Sequence, residues 1–118
     1  HIMLISWNGR KSGTAYSTPV SRFEIDGRLL TTTASPWSAN FRGGHPVDVT
    51  TDGRLRSMRG TVADDPVEVG ATLRRIIEEL GDAAPRALAI RYDEPPTAHE
   101  LAELAKAESV VVIEFTSP

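Results

Sequence analysis

The chain has 118 residues, 40% of them hydrophobic and 25% charged, with a net charge of −3. That is the size and composition of one globular domain spanning residues 1–118. It contains no cysteine, which excludes disulfides, thiolate metal sites and cysteine nucleophiles. No apolar run reaches the length of a membrane-crossing helix, and the cytoplasm is the expected location.

The charge is unevenly spread. Residues 1–60 carry eight Lys/Arg and four acids, a net of +4, whereas residues 61–118 carry five bases and twelve acids, a net of −7. An anionic ligand is therefore expected on the first half, or else acidic helices simply follow a neutral sheet. Nucleic acid is not expected, because the basic residues are not interleaved with aromatics.

His1-Ile2, ahead of Met3, reads as a cloning remnant. Residues 3–8 (MLISWN) predict a short strand. Residues 9–13, Gly-Arg-Lys-Ser-Gly, put two cations between two glycines. Two readings stay open here: a solvated hairpin turn, or a backbone and two cations that hold an anion. Residues 17–25 alternate as a strand with one buried face. Asp26-Gly27 is a hairpin signal, and 28–35, rich in Leu and Thr, is the returning strand. Residues 36–46 form a loop or a single helical turn between two prolines. The strand 47–51, the turn Asp52-Gly53 and the strand 54–63 make a further hairpin.

The period then changes. Asp65 is placed as an N-cap with Pro66 at the first helical position and Glu68 at the third. Val69, Leu73, Ile76, Ile77 and Leu80 form one apolar face, and Gly81 ends the helix. Residues 85–92 fit a short helix or a strand, with helix preferred. Thr97 and Glu100 form a capping box that opens a helix with Leu101, Leu104 and Ala105 inward. The run Val110-Val111-Val112-Ile113 within 109–115 predicts a closing strand covered on both faces. The order predicts a mainly β fold with appended helices (β+α), a small antiparallel barrel of about six strands. The apolar residues of 109–115 and around Trp7 point to a homodimer.

Self-contained catalytic chemistry finds little support. His1, His45 and His99 are the only histidines, and no Gly-x-Ser-x-Gly accompanies them. No two histidines stand three or four residues apart, so no metal site is expected. Phosphate-loop and dinucleotide glycine motifs are absent. Any redox or transfer chemistry would come from a bound cofactor.

The stretch NGRKSGTAYSTPVSRFEIDGRLLTTTAS, followed by PWSANFRGGHPVDV, resembles the deazaflavin-dependent nitroreductase family. The shared features are the Gly-Arg-Lys-Ser-Gly turn, a polar stretch ending in Pro, an Asp-Gly turn, a strand closing in Ala-Ser, and a Trp-x-x-Asn segment. The resemblance implies a split β-barrel of the flavin-reductase type that binds coenzyme F-420, with FMN as the alternative cofactor. It implies hydride transfer to a quinone, nitro compound or enone. The other outcome is a non-catalytic barrel that binds another flavin or small ligand, or has lost cofactor binding.

Carried onto this chain, Arg10, Lys11, Ser12 and Gly13 would meet the cofactor phosphate or its glutamyl tail. Ser17, Thr18 and Pro19 would begin the strand beside the ring, and Thr33, Ala34 and Ser35 would lie against its edge. Trp37 and Asn40 would shape the loop over the site. Tyr16, or Tyr92, would donate a proton.

This chain departs from the family pattern at three places. It has almost nothing where relatives carry a helix ahead of the first strand. Tyr16 stands where a base is usual. Only Pro36 separates Ser35 from Trp37.

Overall fold

The computed structural model describes residues 1–118. Seven strands form one antiparallel sheet: β1 (Ile2–Asn8), β2 (Ala15–Ser21), β3 (Phe23–Ile25), β4 (Arg28–Thr33), β5 (His45–Thr51), β6 (Arg54–Ala63) and β7 (Val111–Thr116). Their order in the sheet is β2-β1-β5-β6-β7-β4-β3. The helices α1 (Pro66–Leu80), α2 (Ala84–Leu88) and α3 (Ala98–Glu108) are inserted between β6 and β7. No helix is long and apolar enough to cross a membrane.

The extra strand has a specific origin. Residues 17–25 are one pass of the chain, but they serve both ends of the sheet. The pass pairs with β1 up to Ser21, bends at Arg22, and pairs with β4 from Phe23 to Ile25. The barrel is thus closed through the covalent bend. β3 reaches only Arg28–Leu30, so Thr31–Thr33 is hydrogen-bonded to β7 on one side alone. β2 approaches β4 there without forming a ladder, which leaves the barrel split. Pro19, which lacks an N–H, is tolerated because β2 is an edge strand.

The two Asp-Gly turns form as expected. Asp26 and Gly27 have φ of 53° and 76°, and Asp52 and Gly53 have 51° and 78°, the mirror-image turn that matches strand twist. The side chain of Asp65 accepts from the N–H of Glu68, and Thr97 with Glu100 completes the capping box. Residues 85–92 resolve into the short helix α2 and an irregular segment, separated by Ala89 in the left-handed region.

Two apolar cores lie on opposite faces of the sheet. Met3, Ile5, Trp7, Val47, Val49, Ile113 and Phe115 fill the barrel, with Phe41 as a plug. Phe23, Ile25, Leu30 and Val112 face outward against Val69, Leu73, Ile76 and Ile77 of α1 and Leu101 of α3. Successive residues of β7 therefore serve different cores, Val112 one and Ile113 the other. This is the two-sided burial that its unbroken apolar run predicts.

Burial moves the dimer expectation to a different surface. Trp7 is 6% exposed, and Val112, Ile113 and Phe115 are also buried. The exposed large apolar side chains include Ile2, Leu4 and Leu55. Leu4 is opposite Pro19 on one side and Thr50 on the other, and Thr50 is opposite Leu55. These residues line up across the outer sheet face that the helices leave uncovered.

Candidate functional site

The Gly-Arg-Lys-Ser-Gly stretch is the connection between β1 and β2. The N–H of Gly9 donates to Thr14 O (2.8 Å), and the N–H of Gly13 donates to Gly9 O (2.9 Å). Gly13 adopts a φ of +69°, a conformation that glycine takes without the cost a Cβ would bring. Ser12 Oγ accepts from the N–H of Thr14 at 3.1 Å. Gly13 and Ser12 thus shape the turn, and the N–H of Gly13 is engaged within it.

A second segment locks the turn in place. Pro36–Phe41 forms a 3-10 helix in which Asn40 Nδ2 donates to Trp37 O at 2.8 Å. Asn40 Oδ1 accepts from the backbone N–H of Arg10 at 3.0 Å. Arg10 Nη2 donates to Gly44 O at 2.6 Å, Arg59 Nη2 donates to Gly43 O at 2.9 Å, and His45 Nε2 donates to Asn8 O at 2.7 Å. The Trp-x-x-Asn segment is therefore the strut that fixes the cationic turn. An aromatic stack backs it. The Trp7 ring lies 5.0 Å from Trp37, 5.4 Å from Phe41 and 5.7 Å from Tyr16, the last pair stacked. Trp7 Nε1 is buried without a hydrogen-bond partner.

Between the turn and the 3-10 helix lies a groove of about 420 Å³, lined by Arg10, Lys11, Ser12, Tyr16, Asn40 and Arg42 among others. Three of its lining residues are cations and none is an acid. Arg42 also reaches Asp64, which lies outside the lining, at 3.0 Å. A groove with this donor set suits a phosphate or carboxylate: a planar fork from each arginine, a point charge from Lys11 and a hydroxyl from Ser12. Arg42 is the site residue that the motif alone did not disclose. Its signal was its position two residues beyond Asn40, where the 3-10 helix ends and the chain turns back over the groove. It adds a third base to the groove that Tyr16 also lines.

The remaining expected site residues lie away from this groove. Thr33 and Ala34 line a second pocket of about 590 Å³, together with Ser21, Thr32 and residues of α2, α3 and the irregular segment after α2. Ser35 donates its N–H to Thr33 Oγ1 at 3.0 Å. Ser17 is exposed and shares a 3.1 Å hydrogen bond with Ser6, while Thr18 Oγ1 donates to Pro19 O at 3.4 Å. Ser17, Thr18 and Pro19 therefore lie along β2, between the two cavities. Trp37 packs against the barrel core. Tyr92 is on the irregular segment after α2, outside both cavities.

No protein-family model matches the chain, and no curated protein matches it. Solved structures do. A conserved hypothetical protein from Mycobacterium tuberculosis aligns with 99% of this chain and 72% of its own, at 17% identity and a TM-score of 0.55. An FAD and heme binding protein from Mycobacterium smegmatis aligns with 99% of this chain and 60% of its own, at 14% identity and a TM-score of 0.53. An F-420 reductase aligns with 99% of this chain and 86% of its own, at 17% identity and a TM-score of 0.50. At these identities the likeness establishes the fold: a curled antiparallel β+α half-barrel that this chain shares with an F-420 reductase and an FAD and heme binding protein.

Proposed function

We propose that the groove beside the β1–β2 turn binds the anionic part of a flavin-type cofactor, F-420 first and FMN second, and that the protein is a cofactor-dependent reductase. The observation that carries this is the meeting of Arg10, Lys11 and Arg42 in one groove whose lining holds no carboxylate, Asp64 reaching Arg42 from outside it. Lys11 and Arg42 are the direct anion contacts. Arg10 contributes its charge while one of its N–H groups holds Gly44. Asn40 positions the turn, and Ser12 offers its hydroxyl. When bound, the cofactor supplies a hydride for a quinone, nitro compound or enone. The protein orients it and excludes water from one side through the Trp7, Trp37 and Phe41 stack. Tyr16, 46% exposed at the groove, is the candidate proton donor. Turnover that survives Tyr16→Phe would remove that role.

A second reading has its own observation. Gly13, Ser12 and part of Arg10 are engaged in holding the turn, so the motif also makes sense as structure alone, in a barrel that binds another small ligand without turnover. Fluorescence titration separates the two. Saturable F-420 binding in the micromolar range, followed by oxidation of the reduced cofactor by a quinone, supports the reductase. An absence of F-420 and FMN binding at tens of micromolar supports the second reading. The uncovered row of Leu4, Pro19 and Leu55 is the surface through which two copies would pair.

A further inference from the structure

The barrel has a second open end. In the antiparallel sheet, β1, β4 and β6 run the same way, so the end of β1 and the starts of β4 and β6 are at opposite ends. The turn groove sits where β1 ends and β2 begins. At the other end, where β7 ends and β4 and β6 begin, lies a third cavity of about 600 Å³. That volume is within the usual range for small-molecule sites. No residue lines both cavities.

The floor of this cavity belongs to the barrel core. Residues opposite one another in a ladder share a sheet face, as do residues two apart on one strand. Glu24 is opposite Leu29, Leu29 is opposite Phe115, and Phe115 is opposite Gly60. On β6, Met58 and then Arg56 share the face of Gly60, two residues apart. Leu29, Met58 and Phe115 join the core inside the barrel, and Arg56 stands exposed beyond Met58.

The lining carries two bases and two acids. Arg28 and Glu114 close on each other through hydrogen bonds of 3.1 and 3.0 Å. Glu24 accepts from Arg22 at 3.1 Å, and Arg22 also reaches Asp52 at 3.0 Å. The Arg56 guanidinium alone among these charges takes part in no ion pair or hydrogen bond. A free guanidinium beside an apolar floor is a fork for one carboxylate whose body covers that floor. A multiply charged anion gains less there, because the two acids of the lining oppose it.

We infer that this end of the barrel is a second ligand site, for a monocarboxylate with a flat apolar body. The carboxylate meets Arg56, and the body lies on Leu29, Met58 and Phe115. The site stands apart from the flavin reading of the groove. The two ends of the barrel select different chemistry: three cations without an acid take a multiply charged anion, and a balanced lining with one free arginine takes a single charge on an apolar body.

The test is titration of the full chain with indole acetate, its neutral amide and pyrophosphate, followed by amide proton–nitrogen correlation spectra. Indole acetate is expected to shift Gly27–Leu29, Met58 and Phe115–Ser117 saturably, with a Kd below about 1 mM, and the amide to bind at least about tenfold more weakly. Pyrophosphate leaves those signals in place. Arg56→Gln brings the acid down to the level of the amide, with circular dichroism confirming the fold. Glu114→Gln frees Arg28 beside the site and tightens the acid several-fold without helping the amide. Equal binding of acid and amide overturns the inference, as does an Arg56→Gln variant that binds the acid like the parent. So do indole acetate shifts confined to Arg10–Tyr16, pyrophosphate shifts at the Met58 end, or an absence of saturable shifts up to about 10 mM.

Discussion

Asn40 shows how one side chain makes a turn into a site. Its carboxamide accepts from the Arg10 N–H and donates to Trp37 O, so it ties the cationic loop to the 3-10 helix through both of its polar ends. Asn40→Ala leaves both backbone partners unpaired. It is expected to cost about 1–2 kcal/mol in urea denaturation and to weaken F-420 binding several-fold. Asn40→Asp keeps the acceptor for Arg10 but loses the donor for Trp37, and should fall between the two. The motif marked Arg10, Lys11, Trp37 and Asn40, because glycine-flanked bases and a Trp-x-x-Asn spacing are visible in a string of letters. Arg42 was not legible in the same way. It reaches the groove only because the 3-10 helix ends at Phe41 and turns the chain back, so that its one signal, a position two residues beyond Asn40, has meaning only once that turn is known.

At the scale of elements, helix ends and hairpins were the most legible features, because caps and Asp-Gly turns are local. The split of residues 17–25 into β2 and β3 was not, since the bend at Arg22 exists only because two distant strands compete for one pass of chain. The packing of α1 on α3 was equally hidden, and it depends on Gly70. A Cβ there would stand 2.7 Å from Ala102 N and 2.8 Å from Ala98 O, both backbone atoms that move only with the helix. Alanine favours a helix over glycine by about 1 kcal/mol, but overpacking of this kind costs up to about 3. Gly70→Ala should therefore lower stability by about 2 kcal/mol in chemical denaturation, and an increase in stability would refute this packing.

Two carboxylates at element ends set the acid limb. The Thr97 backbone N–H holds Glu100 below the usual carboxylate range, and the Arg75 guanidinium does the same for Asp26. Their folded values lie below their unfolded ones, so each contributes stability at neutral pH. That contribution fades as pH falls below about 4, where the unfolded chain takes up protons first. Melting temperatures measured down through that range should fall less steeply for Thr97→Ala/Glu100→Gln than for the parent. Equal slopes would show that this cap does not titrate with folding.

At the scale of the molecule, the half-barrel leaves part of its outer sheet face bare, around Leu4 and Leu55, and the free edge of β2 open. The proposed pairing through this face predicts that light scattering reports a dimer for the parent and a monomer for Leu4→Lys with Leu55→Lys, which places charge in the middle of it; a monomeric parent would refute the pairing. The charge asymmetry read from composition is realised locally only in part: three of the eight bases of the first half, Arg10, Lys11 and Arg42, meet in the turn groove, which no acid lines. That convergence is the central claim, and F-420 titration of the parent beside Lys11→Ala/Arg42→Ala, across a range of salt concentrations, tests it most directly. The parent should bind in the micromolar range with affinity that falls as salt rises. The variant should bind at least about tenfold more weakly and respond less to salt. Equal affinity and equal salt dependence in the two proteins would contradict it.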